Sequence, residues 1–300
     1  DEPDVASNGS DTSSFPSFLN IPLEVWNEYV YKHLGMKQVA IMRGVNRFFE
    51  PCWVRPFTLN LLTLRLPYDI ETLDRAMHVI EILIDRKPGI PYSKENPFVV
   101  ELDKGEHQIT SHWEDEFGRR LTSLSLTRSN ITFVGKGVDT TTVLGGFGIF
   151  NFENITFKNM TVTNTSDDGN GIFMRNAKVK LIDVALKGSD HAGIYIPPDY
   201  PSESTVVATR CEFANSSYGV NVGGNLNSAK FKNCLFHDNS RDGIYGVSGS
   251  TIYLHGEATA THSNGNHGIS AMANVNVLLH LPSHHNTSYN NGTEDRFTFL

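Results

Sequence analysis

One dipeptide constrains this chain more than any other feature. Gly148-Ile149, Gly171-Ile172, Gly193-Ile194, Gly219-Val220, Gly243-Ile244 and Gly268-Ile269 recur at intervals of 23, 22, 26, 24 and 25 residues. A second signature lies between them, as FKNMTVTN around Asn159, LIDVALKG around Asp183, ATRCEFAN around Arg210 and FKNCLFHD around Asn233. A period of this size marks a repeat architecture in which each unit buries its apolar side against its neighbours. The units are too short for a helical hairpin. They are rich in Val, Ile, Phe, Thr, Asn and Gly, so each reads as two or three short strands joined by turns. Equivalent strands would then stack in parallel, about 4.8 Å apart. The expected fold is therefore mainly β, a parallel solenoid. The repeated glycine is expected to supply φ > 0 where the chain turns into a strand. The Ile or Val after it is expected to stack inside the solenoid.

Charge and composition narrow the partners. The formal charge is −8 over 300 residues, and no Lys/Arg cluster stands against it, so a nucleic-acid backbone is not expected as a partner. No run of 18 apolar residues predicts a membrane span. Cys52, Cys211 and Cys234 make no disulfide framework. Cys211 and Cys234 share a register in adjacent units and read as stacked small core residues. Eight Asn-x-Ser/Thr sequons, at Asn8, Asn130, Asn154, Asn159, Asn164, Asn215, Asn286 and Asn291, would matter in a secreted protein. Turns rich in Asn, Ser and Thr generate many by chance.

Residues 1–14 are polar and acidic and read as a disordered tail. Residues 15–55 have helical spacing: Val25, Tyr29, then His33 or Leu34, followed by Val39, Met42, Val45 and Phe49. Pro22 suits a first turn, Gly35 separates two helices and Pro51 ends the second. This stretch resembles an F-box, the helical module that docks on the adaptor of cullin–RING ubiquitin ligases. Ile21, Pro22 and Glu24 match its opening, Leu34 its first helix end, and Val45, Arg47 and Phe49 its close. The sequence departs by one extra residue between Pro22 and Leu34, by Asn46 for Cys and by Phe49 for Trp. The same spacing also suits a plain helical cap over a solenoid end. The resemblance implies that Pro22, Val25, Trp26, Leu34, Val45 and Phe49 would dock on the adaptor.

Residues 56–300 carry the solenoid. A helix is expected at about 69–86, with Leu73, Met77, Ile80 and Leu83 on its apolar face and Lys87, Pro88 and Gly89 stopping it. Strands follow around Val100 and Ile109. The residues Val100, Leu102, Gly105, Ile109, Asn130, Ile131, Thr132, Gly135, Gly137, Asp139, Thr142 and Gly145 are similar to the entry of right-handed parallel β-helices of the pectin-lyase-like superfamily. That resemblance implies a single-stranded right-handed β-helix capped by the helix, and says little of function. The insertion PPDYPSES is expected as an exposed loop, and after Gly292 the residues TEDRFTFL are too few for a further full coil, so the expectation is that those residues or a partner cover the final edge, or that the chain continues.

Chemistry concentrates in polar residues just before each glycine: Asp167, Asp168, Asn170, Asp190, His191, Asp242, Asn266 and His267. Asp168 and Asp190 each lie three positions before their glycine, in consecutive coils. Stacked carboxylates serve acid–base chemistry or bind calcium, whereas Asp and Asn in turns also hydrogen-bond their own backbone. Asp168, Asp190 and His191 are thus the candidate catalytic residues, against a reading as turn formers. The polygalacturonase set and the pectin-methylesterase Asp-Phe-Ile-Phe-Gly are absent. Arg175, Arg210 and Arg241 read as lone arginines. His255 and His280 lie 25 residues apart and should stack; neither a metal nor a cofactor is expected. Three functions remain. The first is a non-catalytic adaptor: the F-box-like helices dock on a ligase and the β-helix face holds a protein or oligosaccharide, inside the cell, in cytoplasm or nucleus. The second is a structural virion or cell-surface solenoid. The third is a carbohydrate-active lyase or glycosidase.

Overall fold

The computed structural model describes residues 62–86, 92–114, 118–198, 203–280 and 287–299. These all fall within one compact unit, Leu61–Leu300. The acidic 1–14 segment, the F-box-like residues Pro22, Val25, Trp26, Leu34, Val45 and Phe49, and Cys52 lie outside the described residues.

The described chain is a right-handed parallel β-helix of about seven turns with one helix. A fifteen-stranded sheet carries the main path β1 (Thr63–Leu66), β2 (Phe98–Leu102), β6 (Ile131–Val134), β9 (Ile155–Thr163), β11 (Lys178–Lys187), β13 (Thr205–Thr209), β16 (Ser228–Lys232), β19 (Thr251–His255) and β22 (Asn276–His280). β3 (Gly105–Gln108) and β7 (Thr141–Leu144) branch from it at β9. β14 (Glu212–Ala214), β17 (Leu235–His237), β20 (Ala260–His262) and β23 (Ser288–Tyr289) branch from it at β11. A nine-stranded sheet holds β4 (His112–Glu114), β5 (Arg120–Ser125), β8 (Gly146–Phe150), β10 (Asn170–Arg175), β12 (Ala192–Ile196), β15 (Tyr218–Gly223), β18 (Ile244–Val247), β21 (His267–Met272) and β24 (Glu294–Phe299). Every pairing among them is parallel except β4 with β5.

The repeated dipeptides sit in register, Ile172 against Ile194, Ile194 against Val220, Val220 against Ile244 and Ile244 against Ile269. All are buried. The first dipeptide differs from expectation: Ile172 pairs with Phe147, so Gly146-Phe147 rather than Gly148-Ile149 is the equivalent step. The glycine's role differs too. Gly171, Gly193, Gly219, Gly243 and Gly268 do not adopt positive φ. A Cβ on Gly171, Gly193, Gly219 or Gly243 would instead lie 2.5–2.8 Å from the carbonyl oxygen of the glycine in the next coil. Close coil stacking, not backbone handedness, is what excludes a side chain there.

Positive φ belongs to the second signature. Asn159, Asp183, Arg210 and Asn233 have φ of 54°, 53°, 53° and 54°. Each bends the chain between two strand segments, and Asn and Asp tolerate that conformation best. Arg210 is the unusual member, and its guanidinium donates twice to Asp183 of the preceding coil, at 2.7 Å each. That ion pair holds the Asp183 carboxyl below its usual range, the Arg210 hydrogen bond being the main cause.

The core consists of stacked columns. Phe133, Phe147 and Phe157 form one ring cluster with centroids 4.8–5.3 Å apart. Phe213, Phe231 and Phe236 form a second, at 4.8–5.5 Å. At one corner a ladder of asparagines replaces apolar residues: Asn239 Nδ2 donates to Asn264 Oδ1 and Asn264 Nδ2 to Asn291 Oδ1, both at 2.9 Å. Asn164, one of the sequon asparagines, is buried and donates to the carbonyls of Thr122 and Asn170. Cys211 and Cys234 are free, buried and adjacent, and burial pushes the Cys234 thiol up.

The helix α1 (Leu73–Arg86) packs Leu73, Ala76, Met77 and Ile80 inward. Asp74 at its start accepts the N–H groups of Thr110 and Ser111, tying it to the solenoid. Residues after Gly292 form β24 against β21, one edge strand rather than a full coil, which is one of the alternatives left open by the sequence. Its positions opposite the buried Ile269 and Ala271 are Arg296 and Thr298, so the apolar column ends in polar side chains, a device that protects a sheet edge. Of the insertion, Pro197 is buried rather than exposed, and Pro198 packs on Gly223, where a Cβ would lie 2.7 Å from it.

Candidate functional site

The nine-stranded sheet turns alternate residues outward, and four of its strands place an aromatic ring on that face. Phe150 of β8, Phe173 of β10, Tyr195 of β12 and Tyr245 of β18 are all half-buried. With His191 and Tyr218 they make an unbroken ladder: Phe150–Phe173 5.5 Å, Phe173–Tyr195 5.5 Å, Tyr195–His191 4.8 Å, His191–Tyr218 5.6 Å and Tyr218–Tyr245 5.3 Å between centroids. In-register stacking places Phe173 directly beside Tyr195, whereas Phe150 stands two residues further along, opposite Arg175, and His191 and Tyr218 bridge the position where Asn221 lies between Tyr195 and Tyr245. The Arg175 guanidinium lies 5.8 Å over the Phe173 ring and that of Arg241 5.5 Å over Tyr218. Arg241 also donates to Tyr218 Oη at 2.8 Å.

The sequence-derived candidates lie at the leading edge of this face, in different roles. Asp190 Oδ2 accepts the backbone N–H of Asp168 at 2.8 Å. Asp168 itself has φ of 58° and its Oδ2 faces Arg119 Nη1 at 3.2 Å. The two carboxylates therefore stand in consecutive coils, but one braces a turn and the other faces an arginine. His191 is built into the ladder. Its Nδ1 sits 2.9 Å from Asn170 Oδ1, which puts the proton of a neutral ring on Nδ1 and leaves Nε2 an acceptor. Burial pushes its pKa below the usual value, Arg241 and Arg119 act in the same direction, and Asp168 and Asp190 oppose them. Further along the edge, the buried Asp242 accepts both His267 N–H, at 3.0 Å, and His267 Nδ1, at 2.9 Å. A shallow groove of about 470 Å³ beside Asp190 is lined by Ser189, Ser217, Asn215 and Asp238.

His191 predicts a pH dependence. A depressed folded pKa means the unfolded chain binds more protons, so its contribution is complete above the unfolded value near 6.5 and is lost as pH falls below it. Wild type should lose more thermal stability between pH 7.5 and 5 than His191→Phe. Parallel Tm profiles for the two would refute this.

The aromatic ladder was missed from sequence, although its signal was there. Phe173, Tyr195, Asn221, Tyr245 and Ser270 are each the residue after a Gly-Ile or Gly-Val step. Arg175, Arg210 and Arg241, read as lone arginines, all have neighbours: the rings of Phe173 and Tyr218, and Asp183. On the other sheet His255 and His280 stack at 4.6 Å, and His237 and His262 at 5.2 Å. Among the described residues no three His, Cys, Asp or Glu side chains are grouped to hold a metal. No described helix is long and apolar enough to cross a membrane.

A continuous parallel stack with one decorated face defines a β-helix protein. Residues 145–294, half of the chain, match the family described as the right handed beta helix region, and the chain belongs to it. No curated protein matches the chain. Among solved structures it is similar to the mannuronan C-5 epimerase AlgE6 A-module of Azotobacter vinelandii (16% identity, 62% of this chain and 55% of that one, TM-score 0.49). It is also similar to ORF18 of Geobacillus virus E2 (12% identity, 84% and 65%, TM-score 0.49). A pectin methylesterase from carrot shares 10% identity over 79% and 82% of the chains, TM-score 0.43. This chain thus spans 55% and 65% of the first two structures.

Proposed function

We propose that this protein is a non-catalytic recognition solenoid that holds a saccharide chain along the outward face of the nine-stranded sheet. The ring ladder from Phe150 to Tyr245 carries the reading. Sugar rings present an apolar C–H face that packs on aromatic rings, while their hydroxyl and carboxylate groups require polar partners at the rim. Arg175, Arg241, Arg119 and Asp168 supply those partners. Half-buried rings lose little side-chain entropy on binding, which suits them as anchors. The engagement of Asp190 with the Asp168 amide, and of Asp168 with Arg119, supports binding over acid–base catalysis. The F-box-like residues 15–55 suit an intracellular adaptor that presents such a target to a ligase. That part of the reading rests on the sequence motif alone.

The test is titration of the full chain with hexasaccharides of polygalacturonate, alginate and cellulose. At least one should bind, and Tyr218→Ala should weaken it by about 30-fold, the effect of losing a roughly 2 kcal/mol anchor. Equal affinity for wild type and Tyr218→Ala, or no binding by any of the three, would refute the reading.

A further inference from the structure

Coil stacking gathers lysines that the sequence scatters. On the outward face of the fifteen-stranded sheet, one column runs Lys180, Val207, Lys230, Tyr253 and Leu278, each paired directly with the next. Lys180 and Lys230 lie fifty residues apart in the chain and two coils apart in space. Lys232 points out beside Lys230 on the same strand. All three lysines are exposed. Among the described residues no ion pair engages them, whereas the carboxylates of Glu153 and Asp183 are engaged by Lys178 and Arg210. In the neighbouring column burial pushes the His255 pKa below its usual value, and the charges of Lys230, His280 and Lys232 push it further. The face is a positive island on a chain of formal charge −8.

We infer that this face docks an acidic, extended segment of a partner protein, with carboxylates three residues apart over Lys180 and Lys230. Two coils separate those lysines, about 9.6 Å at one strand spacing per coil. A polyproline II segment rises about 3.1 Å per residue and repeats every three residues, so carboxylates at i and i+3 lie about 9.3 Å apart on one side. The two residues between them pass over the half-buried Val207. Lys232 gives the second carboxylate a second cation. Beyond Lys230 the column turns apolar, with Tyr253 half-buried and Leu278 41% exposed, so proline or another apolar residue suits the positions that follow. A segment that is already extended loses little freedom on docking. The charge of −8 opposes a long nucleic-acid strand, whereas a segment with two carboxylates meets chiefly the nearby lysines. The inference does not depend on the saccharide reading, which concerns the other sheet.

The experiment is fluorescence anisotropy of two labelled peptides with the full chain at low salt. One peptide repeats Glu-Pro-Pro. The other has the same composition with its glutamates clustered at one end. The repeating peptide should bind more tightly than the clustered one, and added salt should weaken it. Lys180→Gln/Lys230→Gln should weaken it about tenfold, the effect of losing two exposed ion pairs. The same loss of charge in Lys104→Gln/Lys136→Gln, in the bends after β2 and β6, should leave it at the wild-type value. Wild-type affinity in Lys180→Gln/Lys230→Gln, or an equal loss in Lys104→Gln/Lys136→Gln, would overturn the site. Equal affinity for the two peptides would leave charge without spacing and would also overturn it. So would the absence of peptide binding, or a single-stranded oligonucleotide that binds through Lys180 and Lys230 more tightly than the peptide.

Discussion

Phe157→Ala is expected to destabilise the solenoid by about 4 kcal/mol, the usual cost of emptying a buried phenylalanine site. Phe157 is fully buried, stacks on Phe133 at 5.0 Å and tilts against Phe147 at 4.8 Å. The three rings come from β6, β8 and β9, so they join both sheets across the core. Neighbours fixed in register by strand pairing, Phe133 to Phe157 and Phe157 to Leu181, cannot shift inward to fill the void. In a unit of this size the loss corresponds to a fall in Tm of roughly 8–16 °C. Thermal unfolding followed by far-UV circular dichroism reads it directly. A fall of only a degree or two would mean that the coil interior relaxes around the cavity, contrary to the packing described.

Gly219→Ala is expected to cost about 3 kcal/mol, at the upper end of ordinary overpacking. Its Cβ would lie 2.5 Å from the Gly243 carbonyl oxygen and 3.1 Å from Asn239 Nδ2. The obstacle is backbone of the next coil, held on its far side by β21, so it has nowhere to retreat. Gly118→Ala makes an informative comparison. Nothing lies within 4 Å of its added Cβ, and its φ of 77° is the only penalty. That substitution should cost about 1 kcal/mol, the scale of placing a non-glycine residue in the left-handed region. If the two variants lose similar stability, the close approach of the next coil is refuted as the reason for the repeated glycine.

Much of the architecture was legible because a solenoid writes its period into the chain. Ile172, Ile194, Val220, Ile244 and Ile269 recur where each coil must present the same apolar side chain to the same neighbours. Asn159, Asp183, Arg210 and Asn233 recur where each coil must bend. The helix declared itself through Leu73, Met77 and Ile80. The first coil was misplaced by two residues because Gly146-Phe147 and Gly148-Ile149 both look like the repeat, and only strand pairing tells them apart. That the last residues cover the final edge was one of the readings open from sequence, and strand pairing decides it, with Arg296 standing where the preceding coils hold Ile or Val.

The candidate site was less legible. Asp168 and Asp190 stood out because carboxylates attract attention, yet spacing cannot say whether a carboxylate faces a ligand, an arginine or a backbone amide. Here Asp168 faces Arg119, some fifty residues earlier in sequence, and Asp190 braces a turn. The aromatic ladder had the opposite fate. Phe173, Tyr195 and Tyr245 follow the repeated dipeptide, but rings separated by 22 and 50 residues suggest no surface until the coils are stacked.

The sequence by itself determined that the chain coils, which residues fill the coil and where it bends, since those demands are local and repeat every turn. Tertiary structure alone decided the register, the reason for the glycines and the fate of each carboxylate. Those depend on what the next coil brings within a few ångströms, and a period reports that a neighbour exists without saying which atoms it presents.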